Sequence, residues 1–452
     1  MTESAEAAAV VAESKTKSST SLLTVLGVVF GLSITVGNII GSGILRTPGL
    51  IAQLLPNAWL FIGIWILGAL YAALGANGLA ELATMMPESG GYTVYLRRAM
   101  GPYAGFVIGW TDWLSTCSSA ALVSIVIGEY TTFLFSLPNS LTGTIASAVI
   151  IALGLIQWRG VKMGGMTQNL TALAKTIAFA VLVGACFVLG RGFSGEASSS
   201  AVRSGIPLLA AFVVAMQSVV FTYDGYNGVV YFSGELRDPA RDIPRSMFGG
   251  VAAVAAIYLL VNLGFLYVLS IDQMAGQELV AATAAKQIFG GRGDIVIRVL
   301  SIVSLLSALN AFQMMTPRIL HRLSVFGFLP GANYVNRGGT PAIALLLSSG
   351  VMLALVLTGT LTIVLAVTAF FFVAQYALTF ASIFILRKRE PDSPRPFRAR
   401  GHPWTTGLVL IFSIGFLIGN VVTDTRNSVY SLILLGLSWP LYLALRPKAS
   451  RV

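Results

Sequence analysis

The sequence predicts an all-α integral membrane protein of twelve spans, on three observations. Apolar runs of about 20 residues recur along the chain, the length that crosses a hydrocarbon core about 30 Å thick. Of the 452 residues 56% are hydrophobic and 10% are charged, with a mean hydropathy of +0.81, against about 25% charged in soluble domains. The basic residues, finally, are divided unequally between alternate loops.

Residues 1–20 are rich in Ala, Ser, Glu and Lys and have no apolar h-region, so they read as a disordered polar tail and not as a signal peptide. Apolar runs follow at 25–45, 57–83, 103–136, 140–158, 167–190, 207–232, 246–271, 294–316, 341–359, 361–386, 405–423 and 428–445. Several exceed what is needed to cross, which implies tilt or extension beyond the hydrocarbon. Between spans 7 and 8, residues 272–293 are too many for a tight turn. Their Ala-rich pattern (LVAATAAKQIF) fits a short helix lying over the outer face, either a cap over the entrance or an ordinary surface loop. The expected organisation is a first five-helix unit (21–190), a second (207–390), a basic connector (391–404), two further helices (405–446) and a short tail (447–452).

With the N-terminus inside, 21 of the 29 Lys and Arg fall on the inner side, seven on the outer side, and Lys175 lies within span 5. That bias predicts both termini cytoplasmic in a multi-pass cell-membrane protein. The net charge of +11 is spread along the chain with no RNA-binding signature, so no nucleic-acid partner is expected. Cys117 and Cys186 fall inside apolar runs and read as small core residues, not as a disulfide framework. No P-loop is present, no Cys/His cluster has metal-ligand spacing, and His321 and His402 fall in expected loops. No cofactor, no metal and no enzymatic activity are therefore expected.

Two spans are interrupted. Span 1 contains Gly37-Asn38-Ile39-Ile40-Gly41-Ser42-Gly43-Ile44, and span 6 contains Phe221-Thr222-Tyr223-Asp224-Gly225-Tyr226-Asn227-Gly228. Either alone could serve close packing, because small residues let backbones approach in lipid. The pair lies at the first span of each five-helix unit, which points to a midplane site built from unwound helices. Unwinding frees N–H groups on one half-helix and carbonyls on the other. A zwitterion uses both, its carboxylate on the N–H groups and its ammonium on the carbonyls. This chemistry favours an α-amino acid over a sugar or an inorganic ion.

At these residues the chain resembles the amino acid–polyamine–organocation superfamily, and within it the L-type amino acid transporter branch and its bacterial relatives. The stretches that carry the resemblance are GNIIGSGIL (37–45), ELATMMPESGGYTVYLRRAMGPYAGFVIGW (81–110), GVKMGGMTQNLTALAK (160–175), FTYDGYNGVVYFSGELRDPARDIPRS (221–246) and RKREPDSPRPFRARGHP (387–403). The resemblance implies a LeuT-like fold: a five-plus-five inverted repeat plus two helices, with helices 1 and 6 discontinuous. It also implies that Gly41, Ser42 and Gly43 meet the substrate carboxylate and that Ile39 offers its carbonyl to the ammonium. Phe221, Thr222 and Asp224 supply further contacts, Phe221 as a gate. Two positions depart from the family pattern: Tyr226 stands where Trp is usual, and Thr222 where Ala is common. The human-type members join a glycoprotein through a cysteine between spans 3 and 4; SLPNSLTG (136–143) has none, so no disulfide-linked heavy subunit is expected.

Lys175 is the basic residue inside a span, and intramembrane charges are functional candidates by default. Its ammonium would bridge helix 1 to helix 5 or 8, where a sodium ion sits in sodium-coupled relatives; the resemblance supports this, since sodium-independent members carry a lysine here. The alternative is a side chain that snorkels to the interface. Asp224 either pairs with a cationic side chain or caps N–H groups of the break. Asp112, Glu81 and Glu129 read as packing or capping residues. The resulting expectation is a sodium-independent amino acid exchanger in the lipid bilayer. A proton-coupled amino acid or amine permease and a non-transporting sensor are the alternatives.

Overall fold

The computed structural model describes residues 21–55, 57–190, 192 and 207–446. The expected tails, 1–20 and 447–452, and most of the segment joining spans 5 and 6 lie outside the described residues. The described residues are mostly helical, with no strand and two isolated bridges, Leu26 to Leu236 and Val335 to Pro341. Ten helices are long and apolar enough to cross a membrane, and one bent pair passes the same test as a single span.

That pair is α1 (Val28–Ile39) and α2 (Gly43–Leu54), bent by 46° across residues 40–42. The first span thus extends to residue 54, beyond the expected 45; Arg46, Pro48 and Gln53 dilute its hydropathy without stopping the helix. The chain continues through α3 (Ala58–Met85), α4 (Tyr92–Met100) and α5 (Pro102–Leu134). Helix α4 lies in the segment between spans 2 and 3, and most of its side chains are buried. The glycines before it, Gly90 and Gly91, take φ of +117° and +60°, a turn that a Cβ would strain.

Next come α6 (Thr142–Trp158), α7 (Val161–Leu189) and α8 (Leu208–Thr222). After α8 the backbone breaks at Gly225, with φ +115°, and continues as a 3-10 run, Tyr226–Glu235. Ten residues is long for that helix type, whose hydrogen bonds are poorer than those of an α-helix, so this half of the sixth span is held by its neighbours. Helix α9 (Pro239–Val268) is followed by α10 (Ile271–Met274) and α11 (Val280–Phe289), which form the expected helical segment between spans 7 and 8. It docks on the second half of span 1: the Gly276 N–H donates to the Gly49 carbonyl at 3.0 Å.

Helix α12 (Gly293–Val325) packs along α5, and α13 (Ala342–Thr358), α14 (Leu361–Arg389), α15 (Trp404–Thr423) and α16 (Thr425–Leu445) complete the chain. Helix α12 runs nine residues past the hydropathy boundary, because its arginines end the apolar run and not the helix. His321, expected in a loop, is consequently buried inside α12, 4% exposed. Arg318 is buried beside it and pairs with Glu235 through two 2.8 Å contacts.

The basic connector also folds onto the body. Arg387 and Arg395 reach the Glu81 carboxylate at 2.6 and 3.2 Å, and the Ala399 N–H donates to it at 2.7 Å. Glu81 is thus the anchor of that segment. Both cysteines are buried and unpaired with each other.

Candidate functional site

The two breaks face one another. The Asn38 side-chain amide donates to the Gly225 carbonyl at 3.0 Å and reaches the Asn227 amide oxygen at 3.5 Å. A Cβ on Gly225 would lie 2.8 Å from the Asn38 carbonyl carbon and 2.9 Å from the Ile39 nitrogen, so glycine here answers both a positive φ and a close backbone approach. Beside this contact, the Thr47 and Thr222 hydroxyls meet at 3.0 Å.

Between the breaks lies a cavity of about 270 Å³, just under the about 300–1,000 Å³ usual for small-molecule sites. Ile39, Gly41, Ser42, Gly43, Phe221, Thr222 and Asp224 all line it, so all seven cavity residues singled out by sequence converge. Helix α5 contributes Asp112, Ser115, Thr116 and Ser119; α12 contributes Leu305, Ala308, Phe312 and Met315; and Phe372 comes from α14. At Gly41 a Cβ would meet nothing within 4 Å, and the Ser42 hydroxyl does not cap α2. The Leu45 N–H is taken by the Ser42 carbonyl at 3.2 Å, which leaves the N–H groups at the very start of α2 for an anion, where the helix dipole favours one.

The carbonyls of span 1 are largely occupied by the protein. Lys175 is fully buried and donates to the Gly37 carbonyl at 2.9 Å and to the Ile40 carbonyl. Ser304 of α12 donates to the same Ile40 carbonyl at 3.2 Å. Lys175 therefore joins α7 to the break from behind and does not line the cavity. The Ile39 carbonyl lies 3.0 Å from the Tyr258 hydroxyl, which is also 3.0 Å from the Thr222 carbonyl. One hydroxyl proton cannot serve both carbonyls fully, so Tyr258 ties the two breaks together through a shared donor.

Sequence reasoning missed Tyr258, a tyrosine in an apolar run whose partner carbonyls are 36 and 219 residues away. It also passed over Asp112, whose two carboxylate oxygens each lie 3.0 Å from the Tyr231 hydroxyl. The signal available for Asp112 was its charge in the middle of a span. Asp224 accepts from the Tyr376 hydroxyl. Phe221, Asp224 and Phe372 also border a smaller void of about 30 Å³ that continues towards Tyr71, Tyr226 and Ser413. Tyr226 fits there because position 75 is glycine, where a Cβ would lie 2.3 Å from its hydroxyl. Among the described residues no group of three or more His, Cys, Asp or Glu could hold a metal ion.

Comparison with known proteins gives the same direction. The amino acid permease family model matches residues 21–441. The serine/threonine exchanger SteT of Bacillus subtilis is 28% identical over 430 residues, covering 94% of this chain and 97% of its own. The human b(0,+)-type amino acid transporter 1 is 26% identical over 397 residues, 85% of this chain and 80% of that protein. The rabbit large neutral amino acids transporter small subunit 2 is 26% identical over 384 residues, 82% and 71% respectively.

Proposed function

We infer a function from one premise: the chain belongs to the amino acid permease family, in the L-type branch and its bacterial relatives of the amino acid–polyamine–organocation superfamily. It is a multi-pass membrane protein of a transporter family, not of an enzyme family. On that footing the protein is a sodium-independent secondary transporter of L-amino acids, working as an exchanger in the cell membrane with both termini cytoplasmic. Its architecture in this reading is twelve helices, a five-plus-five inverted repeat plus two, with helices 1 and 6 discontinuous.

The observation that carries the reading is the single cavity bordered by both breaks. The cargo carboxylate sits on the N–H groups at Gly41, Ser42 and Gly43. Its ammonium is met by the carbonyl of Ile39, a residue that lines the cavity. Phe221, 46% exposed and stacked at 6.5 Å on Phe372, closes over it. Lys175 holds the carbonyls that a driving cation would otherwise coordinate, which favours exchange over sodium coupling. Names of the relatives support the cargo and the mode: one is an exchanger and the others are amino acid transporters. Alternating access follows from rocking of one helix bundle against the other around the site.

The test is uptake of labelled amino acid into proteoliposomes. Uptake that requires internal amino acid and ignores proton and sodium gradients supports the exchanger. Accumulation driven by a proton gradient alone replaces it with the second reading, a proton-coupled amino acid or amine permease, which the carboxylates of Asp112 and Asp224 at the cavity favour.

A further inference from the structure

Asp112 and Asp224 border the same cavity, one from α5 and one from the break that follows α8. None of the residues lining it is Lys, Arg or His. Asp112 is 5% exposed and is held by neutral donors: the Tyr231 hydroxyl at 3.0 Å from each oxygen, and the Gln375 amide. Asp224 is likewise held by the Tyr376 hydroxyl and the Gly225 backbone N–H. Such donors satisfy lone pairs but bring no opposite charge, so the ionised form of either carboxyl is costly here until a cation pairs with it. Lys175 does not supply the missing charge, since its ammonium is committed to the Gly37 and Ile40 carbonyls behind the break.

The deficit decides between cargoes. A neutral amino acid brings no net charge and leaves the two carboxylates as they were. A cargo with a further ammonium or guanidinium converts a neutral-donor environment into a charge-assisted pair, in a site walled by Phe221, Phe312 and Phe372. Resting on the reading of this cavity as the cargo site, we propose that Asp112 is a specificity-determining residue which, with Asp224, selects a cargo of net positive charge. Its chemical class is a dibasic amino acid or a diamine, in preference to a neutral amino acid of the same length.

The experiment is a dose-dependent thermal-shift panel on the purified full chain with lysine, arginine, norleucine, leucine, serine and 1,4-diaminobutane. Norleucine is lysine without its side-chain amine, so the lysine-to-norleucine affinity ratio isolates the second charge. The ratio is expected to exceed about tenfold in the wild type, to fall by about tenfold or more in Asp112→Asn, and to be retained in Asp112→Glu. Lysine binding without diaminobutane identifies the dibasic amino acid as the source of the charge, and the reverse identifies the diamine. A wild type that binds norleucine, leucine or serine as tightly as the cations overturns the inference and leaves the amino acid cargo standing. An unchanged ratio in Asp112→Asn overturns it equally. If that variant does not fold, the wild-type ratio and Asp224→Asn decide, and a panel in which nothing binds removes both the inference and the cargo reading.

Discussion

The Gly225 carbonyl accepts a hydrogen bond from the Asn38 side chain at 3.0 Å, and this contact ties the interruption of the first span to that of the sixth. Neither interruption would hold its shape alone, because unwound backbone in a span is tolerated only where it is buried in protein or lines a cavity.

Gly225→Ala places a Cβ against the backbone of Asn38 and Ile39 at a φ of +115°. Strain and overpacking each cost about 1–3 kcal/mol, so a loss of about 2–6 kcal/mol is expected, together with loss of uptake. Gly41→Ala is the contrast, since its Cβ meets open cavity. It should change stability by less than about 1 kcal/mol while weakening cargo binding. Thermal unfolding and ligand-induced shifts on the two variants check both statements.

Lys175→Ala removes the donor shared by Gly37 and Ile40, leaving Ile40 with Ser304. An unsatisfied buried carbonyl costs about 1–3 kcal/mol, a loss the fold should survive. Transport is expected to be abolished or uncoupled from internal amino acid, read as uptake and counterflow in proteoliposomes. Unchanged uptake kinetics would remove Lys175 from the mechanism.

Arg318→Ala strands the Glu235 carboxylate in a site where both partners are at most 2% exposed. Breaking such a pair costs about 3–5 kcal/mol, whereas Arg318→Met with Glu235→Leu should recover much of it, because well-packed apolar pairs often replace a buried ion pair. The comparison is made by melting the two proteins in the same detergent. A double variant no more stable than the single one would contradict it.

Acid should loosen the contact between α4 and the end of α14. The Arg98 guanidinium, hydrogen-bonded to Glu390, holds that carboxyl below its ordinary value of 4.5. A depressed folded-state pKa gives stability that is present above the unfolded value and lost as pH falls through the folded one. The pair lies near the surface, so the effect is small. Melting of wild type and Arg98→Ala should differ above pH 4.5 and converge below it; a constant difference across that range would assign the effect of Arg98 to packing.

By itself the sequence determined the solvent, the helical class and which short stretches of spans 1 and 6 border one cavity. Long apolar runs admit few structures in lipid, and the glycines of spans 1 and 6 mark where the helix could part. The cavity residues Ile39, Gly41, Ser42, Gly43, Phe221, Thr222 and Asp224 were legible for that reason, being encoded in two short local stretches. Tertiary structure decided what depends on distant partners. Tyr258 acquires its role from two carbonyls, Asp112 from the cavity it borders, and Glu81 and Arg318 from charges on other elements. Hydropathy averages over neighbours in the chain and is blind to these pairs, and it ended span 8 before Arg318, which the folded protein buries. A polar group in a span has to find its partner across the bundle, and only folding specifies which helix supplies it.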